Sequence, residues 1–407
     1  MQQTADAKPH VIPVHLLIIG SLLSLVLSMG LARFAYTLIL PLMQRQVAFD
    51  NQMAGWLASA NLAGYFLGSI LVTRLGSEVN RIAIMRWGIV ACVVSIGGKG
   101  LTISLFLWGI LQFIGGFAGA AVLIICTAVA FDQLAIQKKS QYTGFVYCGV
   151  GLGIALSAAV VILIGSTVTA SSAWVSLGVL ATIAAIPVWL WVKESDHSPQ
   201  IIGPLNTRSA EVPTFLWWVN ASYFIAAIGY IITATYLVKI VERATGSLAV
   251  GSITWLITGV AGTLTTMLWP YLARRWGYVW AIVSAQLIQV IGILLPIFSD
   301  EPLVAYLSAS LFGGTFIGSF LLHLAFGRTV GSEQNGTKII GILTASFAVG
   351  QAIGPIIGGT LAEIYGTFDP ALVLAAGCAL LAPLVLTIGL RLNHSNQAVT
   401  DSVKMKR

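Results

Sequence analysis

Arg33 is the one basic residue inside the apolar stretch SMGLARFAYTLILPLM, which covers residues 28–43. No acidic residue lies in this stretch to neutralise it. A guanidinium presents a planar fork of N–H donors, which fits a carboxylate, sulfonate or phosphonate through two parallel hydrogen bonds. An arginine in apolar surroundings without an acidic partner therefore indicates a binding site for an anion.

The neighbours of Arg33 have the spacing of a polar helix face. Gly30, Arg33 and Thr37 are three and four residues apart, so a helix presents them on one side, with Tyr36 beside them. If the stretch crosses a bilayer, an arginine facing lipid costs at least about 2.5 kcal/mol, which favours a side chain turned toward a cavity. The alternative is that Arg33 extends to the membrane surface or binds carbonyls at a helix end.

Other sequence motifs that indicate catalysis or ligand binding are scarce. The sequence has no phosphate-binding glycine loop with a lysine, no HExxH pair and no serine elbow, so neither ATP hydrolysis nor an enzyme is indicated. We expect no cofactor and no metal site. His323 could exchange a proton near neutral pH, although a buried neutral histidine is the more common state. Four cysteines lie in apolar runs without metal-ligand spacing, and we expect them to be buried thiols: Cys92, Cys126, Cys148 and Cys378.

The elements that position these residues must be membrane helices. Hydrophobic residues make up 57% of the chain and charged residues 9%, against roughly 25% charged residues in a soluble domain. The 42 glycines fit helices that pack closely within a bilayer. The net charge of +7 lies in short gaps between apolar runs and forms no basic stripe, which argues against nucleic-acid binding.

Twelve apolar runs approach the length of about 20 residues that a helix needs to cross a bilayer. The third and fourth are separated only at Lys99, which we place on the outer side. A polar stretch without a cleavage site precedes the first, so we expect a retained helix rather than a signal peptide. The predicted spans lie at about 13–41, 52–72, 82–100, 102–131, 142–166, 172–192, 213–240, 250–272, 279–298, 302–326, 338–362 and 370–391.

The loop charges predict the orientation of these spans. With both termini in the cytoplasm, 16 lysine and arginine residues lie on the inner side and four on the outer side. Cytoplasmic loops are enriched in positive charge. We therefore expect a multi-pass protein of a bacterial inner membrane with both termini cytoplasmic.

The spans form two halves with related patterns. We expect a six-helix bundle over residues 1–192, a cytoplasmic linker over 193–212, and a second six-helix bundle with a short cytoplasmic tail over 213–407. Glycine and Trp-Leu motifs recur between corresponding spans at offsets of 198 to 201 residues. At an offset of 199 the counterpart of Arg33 is Ile232, so the fold itself does not require an arginine there.

Two halves of six spans with the same orientation are typical of the major facilitator superfamily, and the whole chain resembles it. The motifs GLARFAYTLILPLM, AGWLASANLAGYFLGS and GVGLGIALS look like the YbfB/YjiJ branch of bacterial transporters. Two positions depart from the pattern, since Thr73 replaces a usual aspartate and Gln112 an arginine common in the branch. The resemblance implies an all-α polytopic fold with twelve transmembrane helices in two six-helix pseudo-repeat bundles.

The resemblance also implies that spans 1, 4, 7 and 10 line a central cavity, with further donors from spans 2 and 5. Each polar residue there is more often a packing residue when taken alone, and only the set around Arg33 indicates a site. Its members are Tyr36, Thr37, Asn61, Gln112, Tyr147, Tyr230, Thr233 and Thr315.

These observations predict a secondary active transporter that moves a small organic anion by alternating access, with Arg33 as its counter-ion. An efflux antiporter for hydrophobic drug-like compounds is an alternative, because the chain has 12 tryptophans and many other aromatic residues. A receptor that binds without translocation is a third hypothesis. We expect a monomer in the lipid bilayer, with a proton exchanged at His323 as one candidate coupling ion.

Overall fold

The computed structural model describes residues 12–74, 80–193, 213–330 and 336–404, and side chains within 12–74, 80–193, 213–330 and 339–393. Regular secondary structure in these ranges is helical throughout. Twelve helices are long and apolar enough to cross a membrane, which confirms the predicted number of spans. They are α1 Val14–Gln46, α2 Asn51–Arg74, α3 Arg81–Leu101, α4 Leu105–Ile136, α5 Ser140–Thr167, α6 Ala170–Trp191, α7 Thr214–Thr245, α8 Leu248–Thr265, α9 Tyr278–Phe298, α10 Pro302–Val330, α11 Gly336–Tyr365 and α12 Asp369–Lys404.

The predicted eighth span is shorter in the structure than its sequence range of 250–272. α8 ends at Thr265, and a separate short helix, Leu268–Trp276, follows it. Pro270 explains the break, because a proline lacks the backbone N–H donor and its ring clashes with the carbonyl four residues earlier. The indole of Trp269 donates to a backbone carbonyl of α10 at 2.7 Å, which anchors the short helix.

The helices pack as two bundles, α1–α6 and α7–α12, which confirms the predicted architecture. The same close approach recurs in both. A Cβ on Gly116 of α4 would lie 1.8 Å from the carbonyl oxygen of Asn61 in α2, and one on Gly313 of α10 would lie 2.4 Å from that of Thr258 in α8. Most of the predicted linker, residues 194–212, lies outside the described residues, so the domain boundaries stay predictions.

Most polar contacts between the two bundles lie toward one end of the molecule. We call the end where α1 begins and α12 ends the terminal end, and the other the opposite end. Near the opposite end α1 and α2 contact α7 and α11, which closes the space between the bundles there. These contacts are the ion pair of Arg45 with Glu242, the hydrogen bond from Lys239 to Gln44, the bonds from Asn51 to Glu363 and the bond from Thr37 to the carbonyl of Ala234.

α1 changes its helical winding at the depth of Arg33. Residues Val26–Phe34 form a π-helix between two α-helical segments. Gly30 lies in this segment, where a Cβ would be 2.4 Å from the Cα of Gly153 in α5. The wider turn separates side chains that regular α-helical spacing would place on one face. Gly30 therefore packs against α5, while Arg33 turns into the space between the bundles.

Candidate substrate site

Arg33 lines a cavity of about 190 Å³ between the bundles and is itself only 8% exposed. Its Nη2 donates to the hydroxyl of Tyr230 at 3.2 Å, and its Cζ lies 5.2 Å from the ring centroid of Phe34 and 5.3 Å from that of Tyr65. Within the described residues, no carboxylate pairs with this guanidinium and its Nε has no hydrogen-bond partner. The positive charge is buried, and it faces the cavity.

Tyr230 connects the two bundles through its hydroxyl. This oxygen accepts one hydrogen bond from Arg33 of α1 and another from the side-chain amide of Gln351 in α11. Gln351 is 1% exposed and also lines the cavity. The sequence analysis did not identify it, although an amide inside the glycine-rich stretch GQAIGPIIGG was a usable signal.

The walls of the cavity are mainly aromatic. The ring of Tyr230 stacks on Phe316 at 6.0 Å between centroids and on Phe347 at 5.7 Å. The aromatic residues that line the cavity are Phe34, Tyr65, Tyr147, Tyr230, Phe316, Phe320 and Phe347. The cavity thus combines one fixed cation with flat apolar surfaces.

The cavity extends from Arg33 toward the terminal end. Thr127 lies nine residues before the end of α4, Leu324 lies six before the end of α10, and Thr344 lies eight after the start of α11. All three helix ends belong to the terminal end. The structure is therefore closed at the opposite end, with its cavity on the terminal side.

Four predicted site residues line a second, smaller cavity of about 20 Å³ that also borders Arg33: Tyr36, Thr37, Asn61 and Gln112. Two of them already donate their hydroxyl hydrogens to protein. Tyr36 donates to the carbonyl of Ala54 at 2.9 Å, and Thr37 donates to that of Ala234 at 2.6 Å. The bond of Thr37 reaches the second bundle, whereas that of Tyr36 stays within the first. In the described part of the chain, the polar side-chain atoms of these four residues without a partner are Oδ1 of Asn61 and Nε2 of Gln112.

The structure does not bring Thr233, Thr315 or His323 to either cavity. The Thr315 hydroxyl donates to the carbonyl of its own helix at Leu311, 2.8 Å away, and Thr233 is 1% exposed. The imidazole of His323 is fully buried, and its two nitrogens are 3.2 Å from the hydroxyl of Ser222 and 2.8 Å from a backbone carbonyl. Of the set predicted around Arg33, Tyr147 and Tyr230 reach the main cavity.

Lys99 is buried, although it was predicted to be a loop charge on the outer side of the membrane. It lies in the 3₁₀ turn that ends α3, at the opposite end, and its side chain is fully buried. Its ammonium donates to Oε1 of Gln112 at 3.1 Å and lies 3.8 Å from the ring centroid of Trp174. A single lysine between two apolar runs has the sequence appearance of a loop charge, and only the packing of α3, α4 and α6 reveals its burial.

Two six-helix bundles around a shared midplane cavity define a membrane transporter of the major facilitator class. The sequence matches the family described as "Uncharacterised MFS-type transporter YbfB" over residues 25–387, and the chain belongs to this family. The predicted resemblance is thereby confirmed.

Two relatives are distant in sequence but match over most of their length. The uncharacterised MFS-type transporter YceJ of Bacillus subtilis is 23% identical over 355 residues, covering 83% of this chain and 87% of that protein. The benzoate transport protein of Acinetobacter baylyi is 20% identical over 382 residues, covering 81% and 79%. A crystal structure of the nucleoside transporter NupG shares the fold with a TM-score of 0.73 at 12% identity, covering 92% of this chain and 99% of that one.

Proposed function

We propose that this transporter is a secondary active carrier that moves a small organic anion by alternating access, with Arg33 as the substrate's counter-ion. The observation that carries the proposal is the buried guanidinium that faces a cavity and pairs with no carboxylate of the described residues. A buried charge is costly unless something compensates it. An anionic substrate supplies that compensation, and a bidentate carboxylate matches the geometry of the guanidinium.

The size of the cavity favours a small substrate. Sites for drug-sized ligands are typically about 300–1,000 Å³, whereas an apolar cavity of about 150 Å³ is enough to bind benzene. The cavity of about 190 Å³ therefore suits a single ring with a carboxylate better than a large amphiphile. The similarity to a benzoate transport protein supports the same substrate class and makes benzoate the first anion to test.

The proposal includes a membrane orientation. We assign the terminal end to the cytoplasm of a bacterial inner membrane, because 16 basic residues are predicted on that side, against Arg45, Lys239 and Arg243 on the other once the buried Lys99 is left out. The segment 193–212 then connects the two bundles on the cytoplasmic side. In this orientation the cavity extends toward the cytoplasm, and substrate exchange with the outside requires the contacts at the opposite end to separate.

The test is transport by purified protein in liposomes. We expect the parent to exchange radiolabelled benzoate and to accumulate it when a proton gradient is applied. Arg33→Ala should lower benzoate affinity at least tenfold, because the counter-ion is lost. Arg243→Ala is the matched control, since Arg243 is an exposed arginine at the end of α7. Equal benzoate affinity of the parent and Arg33→Ala would overturn the counter-ion role.

Efflux of hydrophobic compounds is the second candidate, and the seven aromatic side chains around the cavity are the observation in its favour. The two functions differ in their dependence on Arg33. A thermal-shift screen with carboxylates, sulfonates and amphiphilic cations on the parent and Arg33→Ala separates them. Stabilisation of both proteins by the cations, with none by the anions, would replace the first proposal with the second.

A further inference from the structure

Lys99 is a second buried basic residue of the first bundle, and it is held in a defined place. Its ammonium donates to Oε1 of Gln112 and lies over the ring of Trp174, and its carbonyl accepts from the indole of Trp108 at 2.9 Å. Three helices of the first bundle thus hold this lysine beside one amide.

The contact with Lys99 fixes which way the Gln112 amide points. An ammonium has three donors and no acceptor, so it can bond only to the amide oxygen. The amide NH₂ must therefore turn away from Lys99. Gln112 is fully buried and lines the cavity of about 20 Å³, and its Nε2 has no partner in the described part of the chain.

Three polar atoms around this small cavity lack partners among the described residues. They are Nε of Arg33, Nε2 of Gln112 and Oδ1 of Asn61. The Asn61 amide is itself oriented, because its Nδ2 donates to the carbonyl of Gln112 at 2.9 Å and to that of Ala32 at 3.2 Å. The cavity therefore presents two N–H donors and one oxygen acceptor. Each of the three side chains is more than nine-tenths buried.

We propose that this cavity binds one ordered water molecule and that Lys99 is a positioning residue which acts on Arg33 through Gln112 and that water. A water needs about 10–15 Å³ and two to four polar partners, and it can accept two hydrogen bonds while donating one. The water accepts from Arg33 and Gln112 and donates to Asn61. It holds Nε of the guanidinium on the side away from the main cavity, and the terminal nitrogens then face the substrate.

The choice of a lysine follows from this arrangement. A neutral residue at position 99 would let the Gln112 amide turn over, which would present its oxygen to the water and replace a donor with an acceptor. The water could then donate to both oxygens and would stay bound, but the amide and the water would no longer have a single orientation beside the guanidinium. Lys99 is thus the residue that keeps the amide in one orientation, and the effect on the substrate rests on the proposed function.

The direct test is a structure of the full-length parent at a resolution that shows buried waters. We expect density between Arg33, Gln112 and Asn61 at hydrogen-bond distance from all three. Gln112→Met should lose this density, because its side chain cannot donate. No water density in the parent, with these side chains ordered and other buried waters visible, would overturn the proposal whatever the transported substrate is.

The functional test is a double-mutant cycle with benzoate in the liposome assay. Lys99→Met and Gln112→Met should each raise the KM for benzoate about tenfold and leave the maximal rate within twofold. The double variant should show no further increase, because the two residues act in one chain. It also leaves no buried lysine without its amide partner, so it keeps the test usable if a single variant is unstable.

The outcomes separate the two proposals. A raised KM in Lys99→Met with none in Gln112→Met would show that Lys99 acts by charge alone and would overturn the relay. Unchanged KM in both variants, with loss of benzoate binding in Arg33→Ala, would overturn the inference while the proposed function stands. Equal benzoate binding by the parent and Arg33→Ala would refute the counter-ion role, and the water density would still decide the inference.

Discussion

The two bundles share an architecture and differ in where they bury charge. The first bundle buries Arg33 on α1 and Lys99 on α3, and within the described residues neither pairs with a carboxylate. In the second bundle, Ile232 is the counterpart of Arg33 by the repeat and is 1% exposed. His323 is buried there between a hydroxyl and a carbonyl. The helix packing of the second bundle therefore works without an arginine at this position, which supports the proposed role of Arg33 in the site.

The second bundle contributes the aromatic wall and neutral donors. Phe316, Phe347 and Tyr230 form stacked surfaces of the cavity, and Gln351 donates to the Tyr230 hydroxyl. The hydrogen bond from Arg33 to Tyr230 joins the charged side of the site to the aromatic side. A substrate that contacts both sides would bridge the bundles at this point, which is what a carrier with rocking halves requires.

The largest effect, a loss of folding, is expected when an arginine is introduced in the second bundle at the counterpart of Arg33. Ile232→Arg should abolish folding, because Ile232 is buried, lines neither of the two cavities, and a Cβ on Gly358 would already lie 3.0 Å from its side chain. A misplaced arginine costs at least about 2.5 kcal/mol in the membrane interior, and steric overlap adds to this. Size-exclusion profiles and melting temperatures in detergent measure the effect. Arg33→Ile is the control and should stay folded. A stable Ile232→Arg protein would contradict the claim that only the first bundle can hold an arginine at this position.

A smaller effect, a loss of benzoate affinity, is expected when the hydrogen bond from Arg33 to Tyr230 between the bundles is removed. Tyr230→Phe removes the acceptor of Arg33 and of the Gln351 amide, and a hydrogen bond to a charged group is worth about 1.5–3 kcal/mol. We expect benzoate affinity to fall about tenfold. Tyr223→Phe is the matched control on the same helix, because its buried hydroxyl has no hydrogen-bond partner among the described residues. Equal affinities of these two variants would show that the Tyr230 hydroxyl does not hold Arg33 for the substrate.

The sequence predicted the parts of this contrast that depend on hydropathy and spacing. Twelve spans, two bundles and an arginine without an acidic partner follow from residue types alone. The sequence did not predict the burial of Lys99, because the turn that ends α3 is covered by Trp108 and Trp174 from other helices. Regular spacing also failed across the π-helix of α1, which separates Gly30 from Arg33.

The side chains predicted for the site lie at a cavity where depth alone decides their position, and away from both cavities where a local partner takes their hydrogen bond. Tyr230 lines the main cavity at the depth of Arg33. Thr315 lies on the expected span, but its hydroxyl bonds back to its own helix, as threonines in helices commonly do. The roles of the site residues in transport, and of His323 as a proton carrier, stay predictions.

The smallest effect is expected at the opposite end, where the two bundles form an ion pair near the surface. Arg45 is 56% exposed in its pair with Glu242, and exposed pairs contribute about 0–1 kcal/mol. Glu242→Gln should increase the fraction of protein that is open at this end by at most about fivefold. The measurement is the rate at which a thiol reagent added from that end reaches Ala58→Cys, a position in the small cavity, in protein lacking the natural cysteines.

Salt dependence distinguishes the contribution of the ion pair from that of the other contacts that close this end. The rates of the parent and of Glu242→Gln should converge in about 1 M salt, because screening at that concentration acts within about 3 Å. Glu301→Gln is the control, since Glu301 is exposed just before α10 at the same end. If Glu242→Gln changed the thiol reaction rate more than tenfold, or if the difference persisted in high salt, Glu242 would hold the bundles together by more than surface charge. The closed end would then depend on one residue as strongly as the site depends on Arg33.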